Sequence, residues 1–273
     1  MNIDGYALVI GGGGGIGRAC ALGFTKEGAA GVMVADIDLA AAICSATDCK
    51  RKSARMDFRV QAAHIDVTVE ESVKRVIAST VKAFGRVDYC VNSAGIGVEN
   101  ASEMAEANVA EFSRFQTINV TGTFLVTRDV SAIMKMQEPK PADAAYPERG
   151  MIRGAIVNIG SLASFVAQPG MVQYTASKHA VLGLTKNAAL DNATHGIRVN
   201  CVCPSWVDTP MVRRAIEQVS GLEQTIKTLV PFGRVARPEE VADAVIFLCS
   251  PRSSYVTGCS LVIDGGTALR GML

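Results

Sequence analysis

Val9-Ile10-Gly11-Gly12-Gly13-Gly14-Gly15-Ile16-Gly17-Arg18 is the stretch whose reading decides the fold. An apolar run, Tyr6 to Ile10, leads into it, and a helix-like segment, Arg18 to Phe24, follows. A strand turning this tightly into a helix aims backbone N–H groups and the positive end of the helix dipole at one point, where a pyrophosphate can sit. Side chains there would hold the phosphates away from the backbone, so glycine suits the turn. Five consecutive glycines satisfy more than one template: Gly12, Gly14 and Gly17 fit G-x-G-x-x-G, while Gly11, Gly15 and Gly17 fit G-x-x-x-G-x-G. No Lys-Ser or Lys-Thr follows, which excludes a P-loop. Alone, the run also reads as a flexible glycine loop.

Asp36 sharpens the reading. It lies nineteen residues after Gly17, at the end of the apolar run Gly31 to Ala35. An acidic residue about 20 positions on, closing a second strand, accepts both ribose hydroxyls of an adenosine. The same carboxylate repels a 2′-phosphate, and Ile37-Asp38-Leu39 supplies no base to offset it. Arg18 is the one nearby cation that argues for the phosphorylated cofactor. The expectation is NAD over NADP.

The chain of 273 residues is 49% hydrophobic with a net charge of +1, enough for a buried core and without a basic excess for nucleic acid. Its eight cysteines are scattered, several in apolar runs where Cys behaves as a small hydrophobe. Neither C-x-x-C nor a histidine cluster appears, which argues against a metal site. Reduced cysteines, no signal-like amino terminus and no membrane-length apolar run lead us to expect a soluble cytoplasmic protein.

Strand and helix patterns alternate from end to end, the signature of an α/β protein with a parallel sheet covered on both faces. We expect a single domain over 1–273: a Rossmann-like, doubly wound sheet of about seven parallel strands. A long helix is expected over Val109 to Met136, with Asn119 in its middle as an irregularity or a tolerated surface residue. The proline-bearing stretch from Glu138 to Arg153 reads as a surface loop at the sheet edge opposite the ligand side. Asp66 follows a strand and reads equally as an adenine contact or as the N-cap of a helix over Val69 to Phe84. Gly11 to Gly17, Asp36, Asp66, Asn92, Ser161 and Thr209 all follow strand ends, the edge where open α/β sheets bind ligands.

Tyr174 and Lys178 are four apart on an expected helix and so share a face. A phenol is a poor base at neutral pH, and favouring the phenolate there takes roughly 4 kcal/mol of differential stabilisation. A nearby ammonium and an oxidised nicotinamide supply it in a shielded site. Ser161, thirteen residues earlier, can hydrogen-bond the same substrate oxygen. A lone Y-x-x-x-K pair, by contrast, is usually just a solvated face.

Over essentially the whole chain the sequence resembles the short-chain dehydrogenases/reductases. The matches are Gly11-x-x-x-Gly15-x-Gly17, Asn92-Ser93-Ala94-Gly95, Asn119, Ser161, Tyr174-x-x-x-Lys178 and Pro204 through Thr209. The resemblance implies Tyr174 as general acid/base and Ser161 as the partner orienting the carbonyl or hydroxyl. It implies Lys178 on the nicotinamide ribose, favouring the phenolate, and Asn119 holding a water in a proton relay. Cofactor contacts are implied for Gly11, Gly15, Ile16 and Gly17, for Asp66 and Val67 at adenine, and for Asn92, Ala94 and Gly95. Pro204, Val207 and Thr209 would sit at the nicotinamide end. Ile10, Ser93, Ser205 and Gly160 depart from the family's usual Thr, Asn, Gly and Ser.

The expected reaction is hydride transfer between nicotinamide C4 and a carbinol carbon, with no metal required. A segment over about 205–235, rich in apolar residues from Trp206 and Met211 to Leu229 and Phe232, is expected to cover the substrate, with Phe165, Val166, Pro169, Met171 and Val172 adding apolar surface. A hydrophobic secondary alcohol or ketone, polycyclic or polyketide-like, is the expected substrate class. Surplus apolar surface on the helices carrying Asn119 and Tyr174 (Phe124-Leu125-Val126 and Ala180 to Leu184) points to a homotetramer or homodimer. His64, His179 and His195 read as structural. A non-redox dehydratase or cyclase and a nucleotide-sensing binding protein are the competing readings.

Overall fold

Each residue of the first strand shows how the sheet is covered. Ala7 and Val9 pack into one hydrophobic cluster and Leu8 and Ile10 into another, all fully buried. Successive side chains point to opposite faces, so a continuous apolar strand requires helices on both sides. The computed structural model describes residues 1, 3–98 and 101–270; the remaining positions of the expected 1–273 unit lie outside the described residues.

The amino-terminal half runs β1 (Tyr6–Ile10), α1 (Gly15–Lys26), β2 (Gly31–Asp36), α2 (Leu39–Lys52), β3 (Arg59–His64), α3 (Glu70–Phe84) and β4 (Tyr89–Asn92). Then come α4 (Val109–Phe115), α5 (Gly122–Met136), β5 (Lys140–Pro141), β6 (Met151–Ile152), β7 (Gly154–Ile159) and α6 (Val172–Ala193). The chain continues with β8 (Ile197–Pro204), α7 (Pro210–Gln218), α8 (Leu222–Leu229), α9 (Pro238–Cys249) and β9 (Ser260–Ile263). Among the described residues seven strands form one parallel sheet in the order β3-β2-β1-β4-β7-β8-β9. Helices α1, α2 and α9 cover one face through Phe24, Ala42 and Val245, and α3 and α5 cover the other through Val73, Val76 and Val130. The order reverses beside β1, so the crevice outside the carboxyl ends of β1 and β4 is where a ligand belongs.

Three local expectations change. Val109 to Met136 is not one regular helix: between α4 and α5 the chain forms a π-helical turn over Gln116–Thr121, where the Gly122 N–H bonds to the Thr117 carbonyl. That extra residue turns Asn119 inward, and it is buried, not a surface residue. The stretch from Glu138 to Arg153 is not a plain loop: β5 and β6 pair antiparallel within it. Lys140 pins this hairpin to the buried Asp88 carboxylate at 3.0 Å, at the amino-terminal edge of the sheet as expected. Finally, Asp66 is not the cap of α3. Its Oδ1 accepts from the N–H and hydroxyl of Thr68, while Val69 stands at the cap position without a side-chain bond.

The expected apolar surplus is also smaller than the sequence implied. Leu125, Val126, Val181 and Leu182 are buried in this chain's own core, leaving Phe124, Met136 and Leu190 as the large apolar residues exposed on α5 and α6. Among the described residues no helix is long and apolar enough to cross a membrane.

Candidate active site

The glycine turn can be made only without side chains. Gly11 adopts a positive φ of 73°, and a Cβ there would lie 2.7 Å from the Ala94 nitrogen; one on Gly17 would overlap the Gly11 carbonyl. Ile10 lacks the hydroxyl common at its position, yet the turn is braced by backbone bonds from Ser93 N–H to the Ile10 carbonyl (2.9 Å) and from Gly12 N–H to the Ala35 carbonyl (3.0 Å). At the end of β2, Asp36 accepts from the Gly13 and Asp38 N–H groups at 2.8 and 3.0 Å, which fixes its carboxylate beside the turn. Arg18 is turned away and ion-paired with Asp48; that contact, joined by Arg51, holds the Asp48 carboxyl below the usual range.

A cavity of about 850 Å³ runs along the carboxyl edge of the sheet. Gly11, Gly15, Ile16, Asp36, Asp66, Val67, Ala94, Gly95, Lys178, Pro204, Val207 and Thr209 all line it. Two residues expected at a cofactor do not line it. Gly17 instead lets α1 pack against the turn, and Asn92 is buried in β4 with its Nδ2 on Thr123 Oγ1 at 3.2 Å. A glycine cradle that any Cβ would fill, with a fixed carboxylate beside it, fits a dinucleotide.

A second cavity of about 330 Å³ opens next to the first. Trp206, Met211, Val212, Leu229, Val166 and Met171 line it as expected. Other residues of the expected cover serve differently: Ile226 and Val230 are buried as packing, while Phe165, Val219 and Phe232 are exposed. Sequence reasoning missed Leu162, Gln168, Ala215 and Thr228 on this wall. Their only signal was position within the segments flanking Tyr174 and following Thr209.

Ser161 and Tyr174 line both cavities. Ser161 ends the stretch after β7, and its Oγ accepts from the Ala163 N–H at 3.1 Å, leaving the hydroxyl hydrogen to donate. Among the described residues the Tyr174 hydroxyl makes no hydrogen bond; its ring is braced edge-on by Phe115, centroids 6.3 Å apart. One turn along α6, the Lys178 ammonium donates to the Ile159 carbonyl at 3.0 Å and lies 5.6 Å from the Tyr174 ring centre. Asn119 accepts from Ile96 N–H (2.9 Å) and donates to the Ile96 carbonyl (3.2 Å) and Ser177 Oγ (3.0 Å). Gly95 permits this approach, since a Cβ there would lie 3.2 Å from Asn119 Oδ1. The Asn119 carboxamide is therefore spent as a clip, and its backbone carbonyl accepts from Thr123 Oγ1 at 2.7 Å. None of the three histidines lines either cavity.

The protein-family model described as enoyl-(acyl carrier protein) reductase matches residues 11–268. A short-chain dehydrogenase from Aspergillus ruber is 58% identical over 272 residues, covering 100% of both chains. A 2,5-dichloro-2,5-cyclohexadiene-1,4-diol dehydrogenase from Sphingobium indicum is 40% identical over 261 residues, 95% of each. Among solved structures, levodione reductase superposes with a TM-score of 0.85 at 31% identity, covering 97% of each chain.

Proposed function

The chain belongs to the short-chain dehydrogenase/reductase family, and from that membership we propose that this oxidoreductase uses NAD to interconvert a hydrophobic secondary alcohol and its ketone. The observation that carries the reading is the shared wall: Ser161 and Tyr174 are exposed to a dinucleotide-sized cavity on one side and an apolar one on the other. A group on that wall can reach a substrate oxygen while the substrate carbon faces the cofactor.

Family membership implies a nicotinamide nucleotide, which when bound supplies or accepts hydride. The chain's own residues handle the proton. Tyr174 takes it from the hydroxyl in oxidation and returns it to the carbonyl oxygen in reduction. Ser161 donates a hydrogen bond to the same oxygen and fixes its direction. Lys178 places positive charge beside the phenol and reaches the ribose. Asn119 holds the Ile96 loop against α6; a relay role falls to its backbone carbonyl. Asp36 receives the adenosine ribose hydroxyls, and its charge, with Arg18 engaged elsewhere, supports NAD over NADP. Asp66 and Val67 meet adenine; Thr209 and Val207 meet the carboxamide.

The whole chain acts as one catalytic domain, with 205–235 as substrate cover. A cavity of about 330 Å³ suits a ring of modest size, at the lower end of ligand pockets. The Sphingobium relative's name, which specifies a ring diol, supports a cyclic alcohol here. Exposed Phe124 and Leu190 support a homotetramer, and free, mostly buried cysteines support the cytoplasm. Absorbance at 340 nm, followed with a panel of ring alcohols and ketones and with NAD and NADP in parallel, tests the reading. Turnover of apolar ring compounds with NAD is expected. Efficient turnover of sugars with none of ring alcohols would overturn the substrate class, and nucleotide binding without any redox turnover would overturn the reaction.

A further inference from the structure

α7 is an unusual wall. None of its residues is buried, yet Met211 and Val212 line both cavities, Ala215 lines the apolar one and Arg214 lines the dinucleotide-sized one. Two arginines stand side by side on it. Arg213 is tied to Asp208 by hydrogen bonds of 2.6 and 2.9 Å. Arg214 makes no ion pair or hydrogen bond among the described residues.

The charge around the larger cavity makes that free guanidinium matter. Asp36, Asp38 and Asp66 line it, and among the described residues the cations lining it are Lys178 and Arg214. Lys178 is committed to the Ile159 carbonyl beside Tyr174, and Arg18, next to the glycine turn, is committed to Asp48. The glycine cradle offers a diphosphate backbone N–H groups but no side-chain charge. A bound diphosphate carries two negative charges into a cavity whose lining is net acidic. Among the described residues, the one uncommitted cation on that lining belongs to the helix that also roofs the substrate cavity.

We propose that Arg214 binds the diphosphate bridge of the dinucleotide and, by doing so, draws α7 down and completes the apolar cavity. The proposal rests on the reading of the larger cavity as a nicotinamide dinucleotide site. An arginine fork matches phosphate oxygens in geometry as well as charge. Because α7 has little buried surface of its own, a single charge-assisted contact biases its position. Cofactor binding and substrate-site assembly are then coupled through one helix.

Trp206 is the chain's only tryptophan and lines the apolar cavity, so its fluorescence reports the roof. The test titrates wild type, Arg214→Gln, Arg214→Lys and Lys74→Gln with NADH by calorimetry, and with non-fluorescent ADP-ribose by Trp206 emission. Lys74, paired with Glu70 on α3 and lining neither cavity, controls for net charge. Arg214→Gln is expected to weaken both ligands about tenfold, to flatten the salt dependence of binding, and to shrink the Trp206 change even at saturation. Arg214→Lys should fall between, and Lys74→Gln should match wild type. Equal affinity and salt dependence in wild type and Arg214→Gln would overturn the proposal while leaving the cofactor site standing. A loss confined to 2′-phosphorylated dinucleotide, measured with NADPH, would overturn it too. Failure of the wild-type protein to bind either ligand would overturn the cofactor reading itself, and the proposal with it.

Discussion

Gly160, next to Ser161, shows how one departure from the family's usual sequence is compensated. A Cβ there would lie 2.7 Å from Cys201 Sγ and 2.9 Å from Cys203 Sγ, two thiols that project from β8 at 3.6 Å from each other. Sulfur fills the space that a serine side chain would need. Gly160→Ser should therefore cost about 1–3 kcal/mol from overpacking, measured by denaturant unfolding, and should lower kcat by displacing Ser161. In a Cys201→Ala, Cys203→Ala background the added cost should shrink, as coupled neighbours require; an undiminished cost would disprove the packing account. The other buried cysteines are inert by the same physics: burial pushes the Cys20 and Cys90 thiols well up, and that of Cys249 up to about 12.

Among the elements, α9 carries a local device whose pH dependence has a definite sign. Glu240 lies in its first turn and accepts two bonds from Arg234, both 2.7 Å, and one from the Arg237 N–H at 2.7 Å. Arg234 first, then the Arg237 N–H, hold its carboxyl down from 4.5 to about 2. A depressed carboxyl stabilises the fold above its unfolded value and loses that contribution as pH falls through the folded one. Solvent screening of this exposed group keeps the contribution under about 1 kcal/mol. Glu240→Gln should lower Tm at pH 7 by about 1–3 °C, with the gap from wild type closing between pH 4.5 and about 2. A gap that persists at pH 2 would refute the assignment. Pro238-Glu239-Glu240 marks the start of this helix in the sequence itself, with proline in the first turn and acids at the positive end of the dipole, although the Arg234 pairing is not visible there. The β5–β6 hairpin was not, since two-residue strands carry no pattern and their anchor, Lys140 to Asp88, joins residues far apart in the chain. The π-turn was half legible: Asn119 looked out of place in a helix, but only the burial of its clip to Ile96 and Ser177 explains it.

For the whole molecule, the parallel sheet and most of the groups at its carboxyl edge, Asn92 excepted, were readable because strand, turn and carboxylate recur at fixed short spacings, as in the glycine turn and Asp36. What stayed hidden depends on pairing across the fold. The Thr68 N–H and hydroxyl on the Asp66 carboxylate, and the Asp48 carboxylate on Arg18, are pairings that no local pattern announces. Assembly belongs to this scale as well. The proposed assembly places Phe124 and Leu190, 44% and 76% exposed, at the surface on α5 and α6 where copies would meet. Light scattering at micromolar concentration should give a tetramer, and Phe124→Asp with Leu190→Asp should give smaller species; a wild-type monomer would contradict the assembly. The central claim is that a phenol on the wall between two cavities exchanges the substrate's proton. Its most direct test is Tyr174→Phe, assayed for NADH binding by calorimetry and for turnover at 340 nm on a substrate of the wild-type enzyme. The account predicts dinucleotide affinity within about threefold of wild type and turnover reduced by about 10²–10⁴, whereas unimpaired turnover with intact binding would contradict it.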